Sequence, residues 1–259
     1  MVSDTIHVAA GAQPLMRELG IDARAVFDHP QIIPWRKLSD RENCTLDAKL
    51  ADGRAIRWHV KRYAPPRGKS GPALDEMRGH QLLVDASIPT APLLAWGALE
   101  DGRSFVIFED LSGYTPADKL IAHGTRFEGL LRPAADLAAA LHRAGLHHRD
   151  LYLCHFMAKV SDDTIDLKLI DTARVRKLPG MLTRRRWIVK DLAQFWYSTL
   201  PLAITDDQRR AWLARYAEQR GLVSAVNLGP AIQRKAKQIG RHDARLNRRQ
   251  PRRNISISH

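Results

Sequence analysis

This chain is short of cysteine, of long apolar runs and of negative charge. Its two cysteines, Cys44 and Cys154, have no metal-type pair spacing. That excludes a disulfide scaffold and points to a reduced, cytosolic compartment. No uninterrupted apolar stretch approaches membrane-spanning length. The first residues, Met1-Val2-Ser3-Asp4-Thr5, lack the basic-then-apolar pattern of a signal peptide, so none is expected. Aromatics make up only 7% of the chain, zinc-finger spacing is missing, and no aromatic-basic RNA-binding signature occurs, so nucleic acid is not expected as the main partner. There are no internal repeats. At 259 residues, 44% hydrophobic and 27% charged, the chain suits one large soluble domain or two small lobes.

What is present is an excess of cations: 41 Lys and Arg against 28 Asp and Glu, a net charge of +13. Residues 234–259 hold nine Lys/Arg and one Asp, a local +8 that leaves +5 for the rest. A solvated helix end with a flexible tail accounts for such a run, and so does attraction to a polyanion such as nucleic acid, anionic lipid or a phosphorylated glycan.

The order of elements is more informative. Residues 11–28 read as a short helix. Residues 44–50 and 55–63 alternate apolar and polar on either side of Asp52-Gly53, a β-hairpin pattern. Residues 64–72 form a flexible connection, and Pro72 opens a helix carrying Leu74, Met77, Gln81 and Val84. Strands follow at 93–97 and 104–109, and Leu111-Ser112-Gly113 marks a lobe boundary. Leu130, Ala134, Leu137, Ala138 and Leu141 then repeat at helical spacing, with Gly145 as the stop. Short strands at 156–160 and 165–170 come next, then helices around 190–199, 205–220 and 224–239.

Between that helix and that hairpin lies His147-His148-Arg149-Asp150-Leu151, and the second strand runs into Asp171. Two carboxylates in this order suit phosphoryl transfer: Asp150 to orient a hydroxyl and accept its proton, Asp171 to hold Mg²⁺ on the phosphates of a nucleotide. Alternatively, Asp150 is a surface acid paired with Arg149 and Asp171 a strand-end turn acid. Lys61 stands on a strand from which a cation reaches nucleotide phosphates, or is a solvent-facing strand lysine. Glu76 would pair with it. Asp75 competes for that role, and either acid equally suits a helix N-terminus.

The loop 148–156, His-Arg-Asp-Leu-Tyr-Leu-Cys-His-Phe, resembles that of the bacterial lipopolysaccharide core kinase family, which phosphorylates Kdo or heptose, within the protein-kinase-like superfamily. Residues 170–176, Lys190-Asp191-Leu192-Ala193-Gln194-Phe195 and Ser87-Ile88-Pro89-Thr90 fit the same family. The resemblance implies an α+β, bilobal protein-kinase-like fold. Its small β-rich N-lobe would span residues 1–110, its helical C-lobe 111–240, and a basic flexible tail 241–259. It implies ATP and Mg²⁺ as cofactors. Lys61 would be the phosphate lysine with Glu76 its partner, Glu109 to Leu111 the hinge facing the adenine, Asp150 the catalytic acid, Asp171 the metal ligand, and Asp191 a buried brace for the catalytic loop.

The pattern departs from protein kinases at three places. His155 stands where they carry Asn, and it would position a phosphate or a substrate. Thr172-Ala173 replaces Phe-Gly. Residues 33–46 contain no Gly-rich loop, leaving the amides of 39–43 to cover the phosphates. Arg174, Arg184, Arg185 and Arg186 follow Asp171, with Arg176 and Lys177. Guanidinium groups there suit the carboxylate of Kdo or the phosphates of lipid A, and a solvated loop is the plain alternative. The expected partners are therefore ATP and an anionic lipid A-core acceptor, with peripheral contact at the cytoplasmic face of the inner membrane. A pseudokinase, or a kinase acting on a protein or small molecule, remains the alternative.

Overall fold

The computed structural model describes residues 3–66, 71–161, 164–222 and 228–249. Parts of the 64–72 connection, the 161–164 turn and the 224–239 helix, and all of 250–259, lie outside them. The chain forms two compact units, residues 3–80 with 91–111, and residues 81–90 with 112–249.

The first unit is built on one sheet. Its strands are β1 (Thr5–Val8), β2 (Ile32–Lys37), β3 (Arg41–Lys49), β4 (Ala55–Tyr63), β5 (Leu93–Ala98) and β6 (Ser104–Glu109). They are ordered β1-β5-β6-β4-β3-β2. The anticipated hairpin of β3 and β4 forms, and the two expected strands β5 and β6 pair as a second one. The Asp-Gly turns work because Gly53 and Gly102 each take φ 87°, open to glycine at no steric cost. The first turn sets the register that places Lys61 opposite Asn43 and Leu46 opposite Trp58. Alternation then sorts the faces. Cys44, Leu46, Trp58 and Val60 are buried with Met16, Val26, Phe105 and Ile107. Lys61 and Tyr63 fall on the opposite face of β4.

The expected 11–28 helix is two short ones, α1 (Gln13–Glu18) and α2 (Ala25–Asp28). Gly20, at φ 66°, ends the first turn region. Asp22 then accepts from the amides of Arg24 and Ala25 (2.9 and 2.8 Å), which starts the second helix. Arg62, buried at the core edge of β4, ties this segment down by donating to the carbonyls of Val26 (2.7 Å) and Ile32 (3.3 Å). Helix α3 (Pro72–Asp85) begins in this unit, as Pro72 predicts.

The second unit is mainly helical. It comprises β7 (Thr115–Pro116), α4 (Ala117–Ala122), α5 (Phe127–Arg143), β8 (Leu146–His147), β9 (Phe156–Ser161), β10 (Thr164–Leu169), β11 (Arg176–Lys177), α6 (Met181–Thr199), α7 (Asp206–Gln219) and α8 (Gly229–Arg249). The apolar stripe of α5 is buried as its spacing requires. Phe195 stacks on Trp212 at 4.0 Å, and Phe156 meets Phe195 edge-on at 5.4 Å. This aromatic column joins α6, α7 and the root of β9.

Two boundaries differ from expectation. Helix α6 starts nine residues before 190, so Arg184, Arg185 and Arg186 sit on its first turns rather than in a loop. Three successive exposed arginines hide the helical period there. Helix α8 runs to Arg249, through residues 241–249 that the charge run suggested were tail. Ile232 and Ala236 are buried and Gly240 packs on Tyr197, which anchors it.

Candidate active site

In the first unit, Lys61 Nζ donates to Glu76 Oε1 at 2.5 Å. Glu76 is fully buried and also accepts from the Tyr63 hydroxyl. The pair joins β4 to α3, and Glu76, not Asp75, is the acid that meets Lys61. A buried carboxylate with two donors is held in one orientation, and so is the lysine. Lys61 Nζ also lies 6.0 Å from the Phe108 ring centroid. Glu109 ends β6 with its side chain toward solvent, its amide bonded to Pro92 O at 3.0 Å. Its neighbour Asp110 meets His59 Nε2 at 2.6 Å. Leu111 is the last residue of this unit.

In the second unit, α5 stops at Gly145 and the chain pairs β8 with β11 before entering the loop. Three residues of α6 hold that loop from beneath. Asp191, fully buried, accepts from the amides of His148 (2.7 Å) and Arg149 (2.8 Å), and contacts His142 Nε2 (3.3 Å). Burial alone would lift its carboxyl, but these donors hold it below the ordinary carboxylate value. Gln194 donates to Arg149 O (2.8 Å), accepts from Leu151 N (3.2 Å) and reaches Asp150 Oδ1 (3.3 Å). Ser198 Oγ accepts from Leu153 N at 2.9 Å. Asp191, Gln194 and Ser198 follow one helix face at i, i+3 and i+7. Lys190 adds a bond to Arg149 O at 2.8 Å. The loop's backbone is thus satisfied from α6, which permits Arg149 its left-handed φ of 71°.

This rack fixes Asp150. Arg174 Nη1 lies 3.0 Å from its Oδ1 and 3.1 Å from its Oδ2. His155 Nδ1 is 2.7 Å from Asp150 O, and its Nε2 is 3.6 Å from Asp171 Oδ2. Burial presses the His155 imidazole down, but Cys154, Asp171 and the Asp150 carbonyl outweigh it and lift the group to about 9. Asp171 itself takes φ 64° at the exit from β10. The strand is steadied from the other side by Leu169 N donating to Pro89 O (2.8 Å), which gives the Ser87–Thr90 stretch a structural purpose. His148 is fully buried, is held neutral by desolvation, and lies 3.1 Å from Ile170 O.

Asp171 offers Mg²⁺ a hard oxygen. His155, whose Nε2 lies 3.6 Å from Asp171 Oδ2, is a poor ligand for an ion that prefers oxygen. No cluster of three His, Cys, Asp or Glu side chains suited to a metal occurs among the described residues.

Residues 72–216, more than half the chain, match the lipopolysaccharide kinase (Kdo/WaaP) family. The chain belongs to this family. It is 35% identical over 91 residues to the lipopolysaccharide core heptose(I) kinase WaaP of Pseudomonas aeruginosa, covering 34% of this chain and 33% of that protein. Against the protein of the same name from Escherichia coli K12 it is 32% identical over 90 residues, covering 32% of this chain and 31% of that one. The matches thus span about a third of these relatives' length. The pseudokinase domain of BIR2, an immune regulator of the RLK/Pelle family, aligns with 88% of this chain and 85% of its own at 18% identity. Its TM-score is 0.44.

Within this Kdo/WaaP member, the structure groups Lys61 with Glu76, and separately Asp150 with His155, Asp171 and Arg174. Arg185 and Arg186 line a basic groove on the second unit with Arg149, Arg174 and Lys190, whereas Arg184 does not. Lys190, Gln194 and Ser198 were not singled out from sequence as loop supports. Their spacing along α6 with Asp191 was the available signal.

Proposed function

We propose that this protein is an ATP- and Mg²⁺-dependent kinase that phosphorylates a Kdo or heptose hydroxyl of the lipopolysaccharide inner core. The observation that carries the reading is the rack of α6 side chains holding the Asp150 loop, with His155 reaching both the Asp150 carbonyl and the Asp171 carboxylate, in a chain of this family. Asp150 orients the acceptor hydroxyl and takes its proton as the sugar oxygen bonds to the γ-phosphorus. The bond from that phosphorus to the bridging oxygen breaks, and ADP leaves. Such transfer depends on positioning and charge stabilisation more than on a strong base. Asp171 would hold Mg²⁺, whose charge would offset that of the phosphates. Lys61, oriented by Glu76, would meet the α- and β-phosphates, and His155 would position a phosphate or the substrate. Glu109 and Leu111 border the adenine. Arg174, Arg184, Arg185 and Arg186 attract the anionic acceptor at the cytoplasmic face of the inner membrane. No helix among the described residues is long and apolar enough to cross a membrane.

One observation favours a second reading. Arg174 already contacts both oxygens of Asp150. A protein that keeps this contact on binding ATP would be a pseudokinase. Mass spectrometry of Kdo-lipid A incubated with protein, ATP and Mg²⁺ separates the two. The kinase reading expects the mass of one added phosphate. ATP binding with unmodified Kdo-lipid A, heptosyl acceptors and protein substrates would favour the pseudokinase.

A further inference from the structure

A groove of about 840 Å³ runs between α6 and α8 in the second unit. Among the described residues, seven Arg and Lys side chains line it and no carboxylate does. Its aromatic wall is Trp187, with the Arg149 guanidinium 4.7 Å and the Lys190 ammonium 5.6 Å from the ring centroid. Cations this crowded repel one another unless an anion lies among them. Two signs of that unmet demand are visible. The Nε of Arg149 is buried and has no hydrogen-bond partner. Arg149 and Lys190 are both pushed below their ordinary values, first by burial and then by the charge of Arg174. The groove also connects with the candidate catalytic group, because Arg174, one of its lining residues, donates to Asp150. The far wall comes from Arg234 and Lys235 on α8, beyond the residues 72–216 matched to the family.

We infer that this groove binds a phosphate monoester already carried by the acceptor, so that the protein selects acceptors with a phosphate near the hydroxyl presented to Asp150. The inference rests on the kinase reading for the second half of that statement, and on the groove alone for the first. A phosphate dianion suits the site better than a single carboxylate. It brings three acceptor oxygens to guanidinium forks on two walls, and one Arg Nε otherwise stays unsatisfied. Bound there, it would also draw Arg174 toward the groove, freeing an oxygen of Asp150 for the acceptor hydroxyl.

The test uses the full chain and the double variant Arg234→Gln/Lys235→Gln, on the α8 wall away from Asp150. Calorimetric titration with inorganic phosphate should give binding to the wild type that weakens at least tenfold in the variant, with the melting temperature unchanged. In transfer assays the variant's KM for Kdo-lipid A should rise at least tenfold, with kcat and the KM for ATP unmoved. Inorganic phosphate should compete with the acceptor and not with ATP. Equal phosphate affinity in both proteins would overturn the anion site. An unmoved acceptor KM beside weakened phosphate binding would overturn the acceptor role. Lost binding to phosphatidylglycerol vesicles together with that unmoved KM would instead make the groove a membrane contact. If no acceptor is phosphorylated, the kinase reading fails by itself, and the phosphate titration still decides whether the anion site exists.

Discussion

Asp191→Asn should be among the most damaging single-atom changes in this protein. The side chain is fully buried and its two oxygens accept from two backbone amides, those of His148 and Arg149, as well as contacting His142. An asparagine has one oxygen to offer. Its amide group must then face one backbone N–H, donor against donor. A hydrogen bond to a charged acceptor contributes about 1.5–3 kcal/mol, and an orphaned buried donor costs about 1–3 kcal/mol. Allowing for relaxation, the loss should be about 3–5 kcal/mol, the range for breaking a buried charged contact. In a protein of this size about 1 kcal/mol corresponds to about 2–4 °C, so the melting temperature should fall by about 6–20 °C. Urea unfolding followed by tryptophan fluorescence measures the same quantity. Asp207→Asn is the control: its side chain is 87% exposed and pairs with Arg210 on the same helix, so it should cost under about 0.5 kcal/mol. An Asp191→Asn protein that loses less than about 1 kcal/mol would refute the idea that α6 holds the loop through this carboxylate.

Four further outcomes follow from the same structure. His147 is buried and its imidazole is pushed down to about 4, mainly by desolvation. The unfolded chain therefore takes up the proton first as pH falls below 6.5. Stability should be full above that pH and fall by up to about 3 kcal/mol toward pH 4, and His147→Phe, which keeps the ring on Trp187, should flatten the profile of melting temperature against pH. Lys61→Ala should weaken ATP binding at least about tenfold by calorimetry. Glu76→Ala should also cost about 2–4 kcal/mol in urea unfolding, because it removes a buried carboxylate that accepts from both Lys61 and the Tyr63 hydroxyl. Gly97→Ala should break the β1–β5 pairing, since a Cβ there would stand 2.1 Å from Thr5 O; a melting temperature within about 2 °C of wild type would contradict that.

Sequence and structure agree where the determinants are local. The Asp-Gly turns mark both hairpins of the first unit, and the stripe from Leu130 to Leu141 marks α5. The pairing of Lys61 with Glu76 follows from their placement on successive elements, with Asp75 a neighbouring competitor; α3 turns Glu76 inward. What stayed hidden depends on tertiary pairing or on masked periodicity. β1 is four residues long, and Pro34 interrupts β2, so neither has a clear alternation. The first turns of α6 carry exposed Met181 and Leu182 with three arginines, an arrangement with no apolar face. The contact of Arg174 with Asp150 joins residues 24 apart and has no sequence signature. The same holds for Gln194, whose amide reaches three different residues of the loop.

The most direct test of the central claim is phosphate transfer from labelled ATP to Kdo-lipid A by the wild type, Asp150→Asn and Asp171→Ala, with ATP affinity measured in parallel. The account predicts Mg²⁺-dependent transfer by the wild type. It predicts at least about a hundredfold loss of rate in Asp150→Asn with ATP affinity unchanged, and loss of both transfer and Mg²⁺-dependent ATP binding in Asp171→Ala. Transfer that survives Asp150→Asn at the wild-type rate would contradict it.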